Sequence, residues 1–216
     1  MDTDLISKTE DFLKYTFEHS EYFRAHKNEL DYRLEHSYRV ANIGKRIAIS
    51  ESLDRTKVII ACLLHDIAYC NEMSTREERL EHGRASAKIA RPFLESLGLS
   101  SDDVNDICYA IAIHVDDKAD FEWQRTVFSE TVGDADNIDR FDAYRIYESL
   151  QYKKFSEMTI FEKKDTLSKT IEHLKELYKM KLGTKTAVML WQRRVGFYID
   201  FYERLEKQFD ESTSII

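Results

Sequence analysis

The stretch Val58-Ile59-Ile60-Ala61-Cys62-Leu63-Leu64 runs without interruption into His65-Asp66 and continues as Ile67-Ala68. An apolar run of this kind belongs in the middle of a packed domain. A charged pair at its end is costly there unless something compensates it. A cation is the cheapest compensation, and imidazole with carboxylate is a metal-binding combination. The chain carries more groups of the same chemistry on both sides. His36 stands upstream in Glu35-His36-Ser37-Tyr38-Arg39-Val40-Ala41. Asp136 stands downstream in Gly133-Asp134-Ala135-Asp136-Asn137-Ile138-Asp139, with His82 and His114 between.

Six glycines and one proline in 216 residues favour helices joined by short loops over sheets with many turns. An apolar fraction of 43% is enough for a real core. The expected fold class is all-α. A net charge of −8 argues against non-specific binding to nucleic acid or to an anionic membrane. A phosphorylated substrate remains compatible with it, because a metal supplies positive charge locally. No apolar run is longer than Val58 to Leu64, which is far too short to span a bilayer. Met1-Asp2-Thr3-Asp4-Leu5 lacks the basic-then-apolar order of a secretion signal. Cys62, Cys70 and Cys108 are odd in number and show no metal or redox spacing, so a reducing cytoplasm is expected. Cys62 and Cys108 read as core residues.

Periodicity and capping signals predict the elements. A first helix covers residues 3 to 27, with Leu5, Phe12, Leu13 and Phe17 facing in, and a polar connection over 28 to 34 leads to His36. A second helix runs from there to about Ser50. Asp54 reads as the N-cap of a third helix ending near His65 and Asp66. Residues 69 to 79 read as an irregular polar loop over the site. A fourth helix begins near Leu80 and ends before Gly98, with Pro92 kinking or breaking it. Ser100 with Asp103 opens a fifth, which ends at His114, followed by a polar loop at 116 to 120. Residues 125 to 152 hold one or two helices. Thr159 with Glu162 opens a helix to about Leu182, stopped by Gly183. A last amphipathic helix carries Val188, Leu190, Val195 and Phe201, and Glu211 to Ile216 reads as a frayed tail. No linker interrupts this order, so one domain over residues 1–216 is expected. His19, His26 and His173 sit among polar residues and read as surface.

The ordered set His36, His65-Asp66 and Asp136 resembles the HD-domain superfamily of metal-dependent phosphohydrolases, whose signature is His…His-Asp…Asp. The resemblance covers roughly residues 30 to 150 and implies a multi-helix HD bundle, with two additional C-terminal helices over about 151–210. Residues 184 to 197 also look like the end of small bacterial HD hydrolases, including nucleotide pyrophosphohydrolases. That branch's usual glycine-alanine is Asp142-Ala143 here, a departure from its pattern.

The resemblance implies a metal held by His36, His65, Asp66 and Asp136. Among Asp134, Asp136, Asp139 and Asp142, the superfamily's Ala-Asp pair falls on Ala135-Asp136. His65 and Asp66 point about 100° apart if both are helical, so one ion reaches both only at a helix end or in a cleft. Two imidazoles with two carboxylates suit Mn, Fe, Co, Ni or Zn, with Mg accommodated if waters complete its shell. His82 and His114 occupy the order in which two-metal members place two further histidines, so they bind a second ion or face the substrate. Asp66, His82 and His114 are thus the expected catalytic residues. Arg33, just ahead of His36, is the expected phosphate donor, with Arg39 and Lys45 on the next helix. Asp139 is expected either behind the metal ligands or facing the substrate. The reading is a hydrolase in which metal-bound water attacks a nucleotide or related small phosphate ester. Two alternatives stand beside it: a nucleotide-binding regulatory module with little turnover, and a di-iron oxygenase. No nucleic acid or membrane partner is expected.

Overall fold

The apolar run forms a short helix around which the first half of the chain packs. In the computed structural model, which describes residues 2–212, Thr56 and every residue from Val58 to Leu64 in α4 (Arg55–Leu64) are buried. A helix apolar on all sides must be surrounded, and four helices do this: α1 (Asp2–Glu18), α3 (Lys27–Ser50), α6 (Ser101–Ile113) and α7 (Val127–Asp139). A fifth, α5 (Arg76–Ser96), packs mainly on α6, and a short α2 (Glu21–Ala25) leads into α3. Each buried Ile, Leu or Val of α4 contributes about 1.5–3 kcal/mol relative to exposure, which fixes this helix as the core. Cys62 and Cys108 are fully buried, and burial pushes both thiols up, Cys108 to about 11.

The chain divides into two compact units, residues 1–139 and 140–216. In the second, α8 (Ala143–Tyr152) is followed by a 3-10 turn (Phe155–Glu157), and α9 (Ile160–Leu177) pairs with α10 (Lys185–Glu211). Ten α-helices and no strand occur among the described residues. The fold is all-α, as the scarcity of Gly and Pro predicts.

Several boundaries differ from expectation. The first helix stops at Glu18, and Ser20 begins α2 by accepting from the Phe23 amide while donating to the Cys70 carbonyl. Residues 28 to 34 are not a connection but the first turns of α3. They are polar yet rich in helix formers and contain no breaker, and a solvated helix face has the composition of a polar loop. His36 therefore sits well inside α3, not near its start. The loop over 69–79 is shorter than expected. A 3-10 turn spans Ile67–Cys70, and α5 begins at Arg76 under a full Thr75–Glu78 capping box. Such a cap is worth about 1 kcal/mol. Pro92 lies inside an unbroken α5, at the cost of one backbone donor. The helix expected to reach Leu182 ends at Leu177, whose carbonyl accepts from the Trp191 indole of α10 at 2.8 Å. The caps at Asp54, Ser100 and Thr159 form as read. From residue 213 on, the tail lies outside the described residues.

Candidate metal centre

The side chains singled out by the sequence converge from five helices of the first unit. His36 comes from α3. His65 and Asp66 follow the last turn of α4, with His65 as its C-cap. Adjacent residues can face one point here because the helix has ended. His82 comes from the start of α5, His114 is the C-cap of α6, and Asp136 and Asp139 lie on the last turn of α7.

The four imidazoles share one hydrogen-bonding pattern. Nδ1 of His65 lies 2.7 Å from the Cys62 carbonyl, Nδ1 of His82 2.6 Å from that of Arg79, and Nδ1 of His114 2.6 Å from that of Ile111. Nδ1 of His36 lies 2.9 Å from Asp139 Oδ2. Carbonyls and carboxylates only accept, so each Nδ1 carries the proton. In the neutral ring the lone pair then falls on Nε2. All four Nε2 atoms point inward. Those of His36 and His65 are 3.2 Å apart, and those of His82 and His114 are 3.0 Å apart.

The carboxylates stand among these nitrogens. Asp136 Oδ1 is 3.1 Å from His36 Nε2 and 3.8 Å from His65 Nε2. Asp66 Oδ2 is 3.5 Å from His36 Nε2, while its Oδ1 is 2.9 Å from His82 Nε2 and 3.7 Å from both His65 and His114. Three overlapping groups could each hold an ion: His36, His65 and Asp66; His65, His114 and Asp136; and Asp66, His82 and His114. Lone pairs 3 Å apart repel unless a proton or a metal lies between them. The donor set, imidazole nitrogen with carboxylate oxygen, fits a divalent transition metal.

Charge balance points the same way. Burial opposes ionisation of Asp66, but His65, His114, His82 and Arg33 outweigh it and hold the carboxyl well below the usual range. Asp136 is held down likewise by His36 and His65. For His36, burial alone would lower the pKa. Hydrogen bonds to Asp136 and Asp139, with the charge of Asp66, push it up to about 9 instead. The centre therefore keeps its carboxylates ionised and recruits positive charge.

The remaining residues form the surround. Asp139, only 2% exposed, lies behind His36 and also accepts from Arg39 Nε at 2.9 Å. Arg33 Nη1 pairs with Asp66 Oδ2 at 2.7 Å, and its guanidinium lies 3.3 Å from the centre of the Tyr69 ring. The ring centroid of His82 is 4.9 Å from that of Tyr69. The site does not gather every histidine. His19 and His26 stack on Tyr15 and Tyr22 at the surface, and His173 is exposed in the second unit. Two partners were not legible as such. Arg39 reads as a phosphate donor from its position but serves Asp139, and Tyr69 falls in a stretch read as loop.

The HD domain model matches residues 33–144. No curated protein matches the chain. Among solved structures, an HD-superfamily hydrolase from Bacillus thuringiensis shares 20% identity at a TM-score of 0.67, covering 97% of this chain and 99% of that one. A predicted HD superfamily hydrolase from an uncultured Thermotogales bacterium shares 21% at 0.63, covering 94% and 92%. Bacillus subtilis YpgQ, solved in complex with ADP, shares 18% at 0.63, covering 96% of each. At these identities the likeness is one of fold. No helix among the described residues is long and apolar enough to cross a membrane. The matched region takes in more than half of the 216 residues and every side chain of the centre, and the chain belongs to the HD domain family.

Proposed function

We propose that the protein is a metal-dependent phosphohydrolase acting on a nucleotide or a related small phosphate ester. One observation carries this reading: four imidazoles commit Nδ1 to acceptors and turn Nε2 toward Asp66, with Asp136 beside those of His36 and His65. His36, His65, Asp66 and Asp136 would hold a divalent ion, one of Mn, Fe, Co, Ni, Zn or Mg. When bound, such an ion supplies Lewis acidity toward a phosphoryl oxygen and lowers the pKa of water. Asp139 and Arg39 orient His36 and fix its tautomer. His82 and His114 stand where they can hold a proton for the leaving group or the attacking water. Arg33 pairs with Asp66 Oδ2 through Nη1, and its other guanidinium N–H groups lie outside that bond and would serve a phosphate. No covalent nucleophile is needed. Water oxygen bonds to phosphorus as the bond to the leaving oxygen breaks, and a proton passes to that oxygen. The ADP bound by YpgQ supports a nucleotide as the first class to test.

A second ion is favoured by Asp66, whose Oδ1 faces His82 and His114 while Oδ2 faces His36. Asp66 would then be shared, with His82 and His114 as further ligands. The test is a metal analysis of protein purified without added metal, then phosphate and pyrophosphate release from a nucleotide panel with Mn, Co or Ni. Chelator should abolish turnover, and heavy-oxygen water should label the phosphoryl product within one turnover. Silence across the panel with every metal supplied would favour a nucleotide-binding regulatory module. Two irons with oxygen consumption would instead identify an oxygenase.

A further inference from the structure

We infer that Arg84 and Asp116 are positioning residues for the His82–His114 pair, locking α5 to α6 where the two imidazoles meet. This rests on the reading above that both histidines belong to the hydrolytic site. Arg84 follows His82 by two residues, and Asp116 follows His114 by two. One step beyond the imidazole contact of 3.0 Å, Arg84 Nη1 lies 2.8 Å from each oxygen of Asp116. The side chains are 13% and 17% exposed, so water screens the pair only in part.

The need for a lock follows from the chain path. His114 caps α6, and the backbone beyond it leaves the helix and turns left-handed at Asp117 (φ 60°). Helical hydrogen bonding therefore holds His114 from one side only. Asp116 is the first charged anchor past the helix end. Arg84 also reaches Glu81 at 3.2 Å and Asp120 at 3.6 Å, but Asp120 is taken more closely by Lys88 at 2.6 Å.

The residue between His82 and Arg84 shows how close this joint is. A Cβ on Gly83 would stand 2.6 Å from the Ala112 carbonyl, 3.0 Å from that of Ile111 and 3.1 Å from His114 Nδ1. The Ile111 carbonyl is the acceptor that fixes the His114 tautomer. A Cβ on Gly133 of α7 would likewise lie 3.3 Å from the His114 carbonyl. His114 is thus gripped between α5 and α7, and the Arg84–Asp116 pair sets how far α5 stands from it.

The experiment compares Arg84→Met, Arg84→Lys and Asp116→Asn with His82→Ala and His114→Ala. Readouts are the visible spectrum of Co-loaded protein, Co stoichiometry, thermal melting, and kcat separately from KM. Arg84→Met and Asp116→Asn should melt cooperatively, keep one tight Co, change the Co spectrum, and lose kcat roughly 10- to 100-fold with KM little moved. Arg84→Lys should recover most of the loss, because a single nitrogen makes the contact. If Arg84→Met does not fold, Asp116→Asn, which keeps its shape, carries the test. Parent-like kcat and spectrum in Asp116→Asn, beside inactive histidine variants, would overturn the positioning role and leave the hydrolytic reading standing. Equal loss in Arg84→Lys and Arg84→Met also overturns it. Full turnover in both histidine variants overturns the placing of His82 and His114 in the site, and the positioning role with it.

Discussion

His36 donates through Nδ1 to Asp139 at 2.9 Å, and this bond turns its Nε2 toward Asp136, 3.1 Å away. Asp139 is itself held by Arg39, so three residues on two helices set one ring's tautomer and direction. Such outer partners typically tune metal affinity by 10- to 100-fold. Asp139→Asn keeps the shape but removes the charge. It should weaken metal binding by roughly that factor while the fold persists. Competition against a chromophoric chelator measures it. Unchanged affinity would mean that Asp139 does not govern His36.

The approach of α3 to α4 depends on Gly44. A Cβ there would lie 2.6 Å from Cys62 Sγ and 3.0 Å from Val58 Cγ1, both buried completely. Alanine gains about 1 kcal/mol of helix propensity over glycine, but overpacking costs about 1–3 kcal/mol. Gly44→Ala should therefore be destabilising by denaturant unfolding. Adding Cys62→Ala removes the obstructing sulfur, so the two substitutions should be strongly non-additive. Additive losses would place the obstruction elsewhere.

The parts of the molecule legible from sequence were those whose cost is local. A charged His65-Asp66 pair at the end of α4 demands compensation wherever the chain goes, and the caps at Asp54, Ser100 and Thr159 are spelled within four residues. What stayed hidden depends on residues distant in sequence. Gly83 reads as a mild helix weakener until the carbonyls of α6 are placed against it. Arg39 looks free for phosphate until Asp139, on α7, is seen beneath it. The start of α3 was lost for a different reason: a solvated helix face and a polar loop have similar composition.

Lys57 of α4 reaches across to α6, 2.7 Å from Asp103 and 3.0 Å from Asp106. Its hydrogen bond is the main cause that lowers the Asp103 pKa below 3.8. A carboxyl lowered on folding contributes stability above its unfolded value and loses it as pH falls through the folded value. Both acids are about a third exposed, so the contribution should stay below about 1 kcal/mol. Lys57→Met should therefore be slightly less stable than the parent near neutral pH, with the gap closing below about pH 4. Urea unfolding of both proteins from pH 7 to pH 3 measures the gap. A gap that widens in acid would contradict the assignment.

Arg33 and a bound cation answer the same need, the buried charge of Asp66. Asp66 is 3% exposed, and Arg33 Nη1 lies 2.7 Å from its Oδ2. Removing one partner of a buried pair costs about 3–5 kcal/mol, because the other charge is left uncompensated. A divalent ion held by His36, His65, Asp66 and Asp136 would supply compensation of its own. The cost of Arg33→Met should then depend on metal: large in chelator, smaller with saturating Mn. Arg33→Lys separates charge from shape, since lysine keeps the charge but loses the planar stack 3.3 Å from the Tyr69 ring centre. It should fall between parent and Arg33→Met in chelator. Denaturant unfolding of the three proteins with and without Mn gives the cycle. Equal destabilisation by Arg33→Met in both conditions would mean that a bound cation does not relieve the charge that Arg33 balances on Asp66.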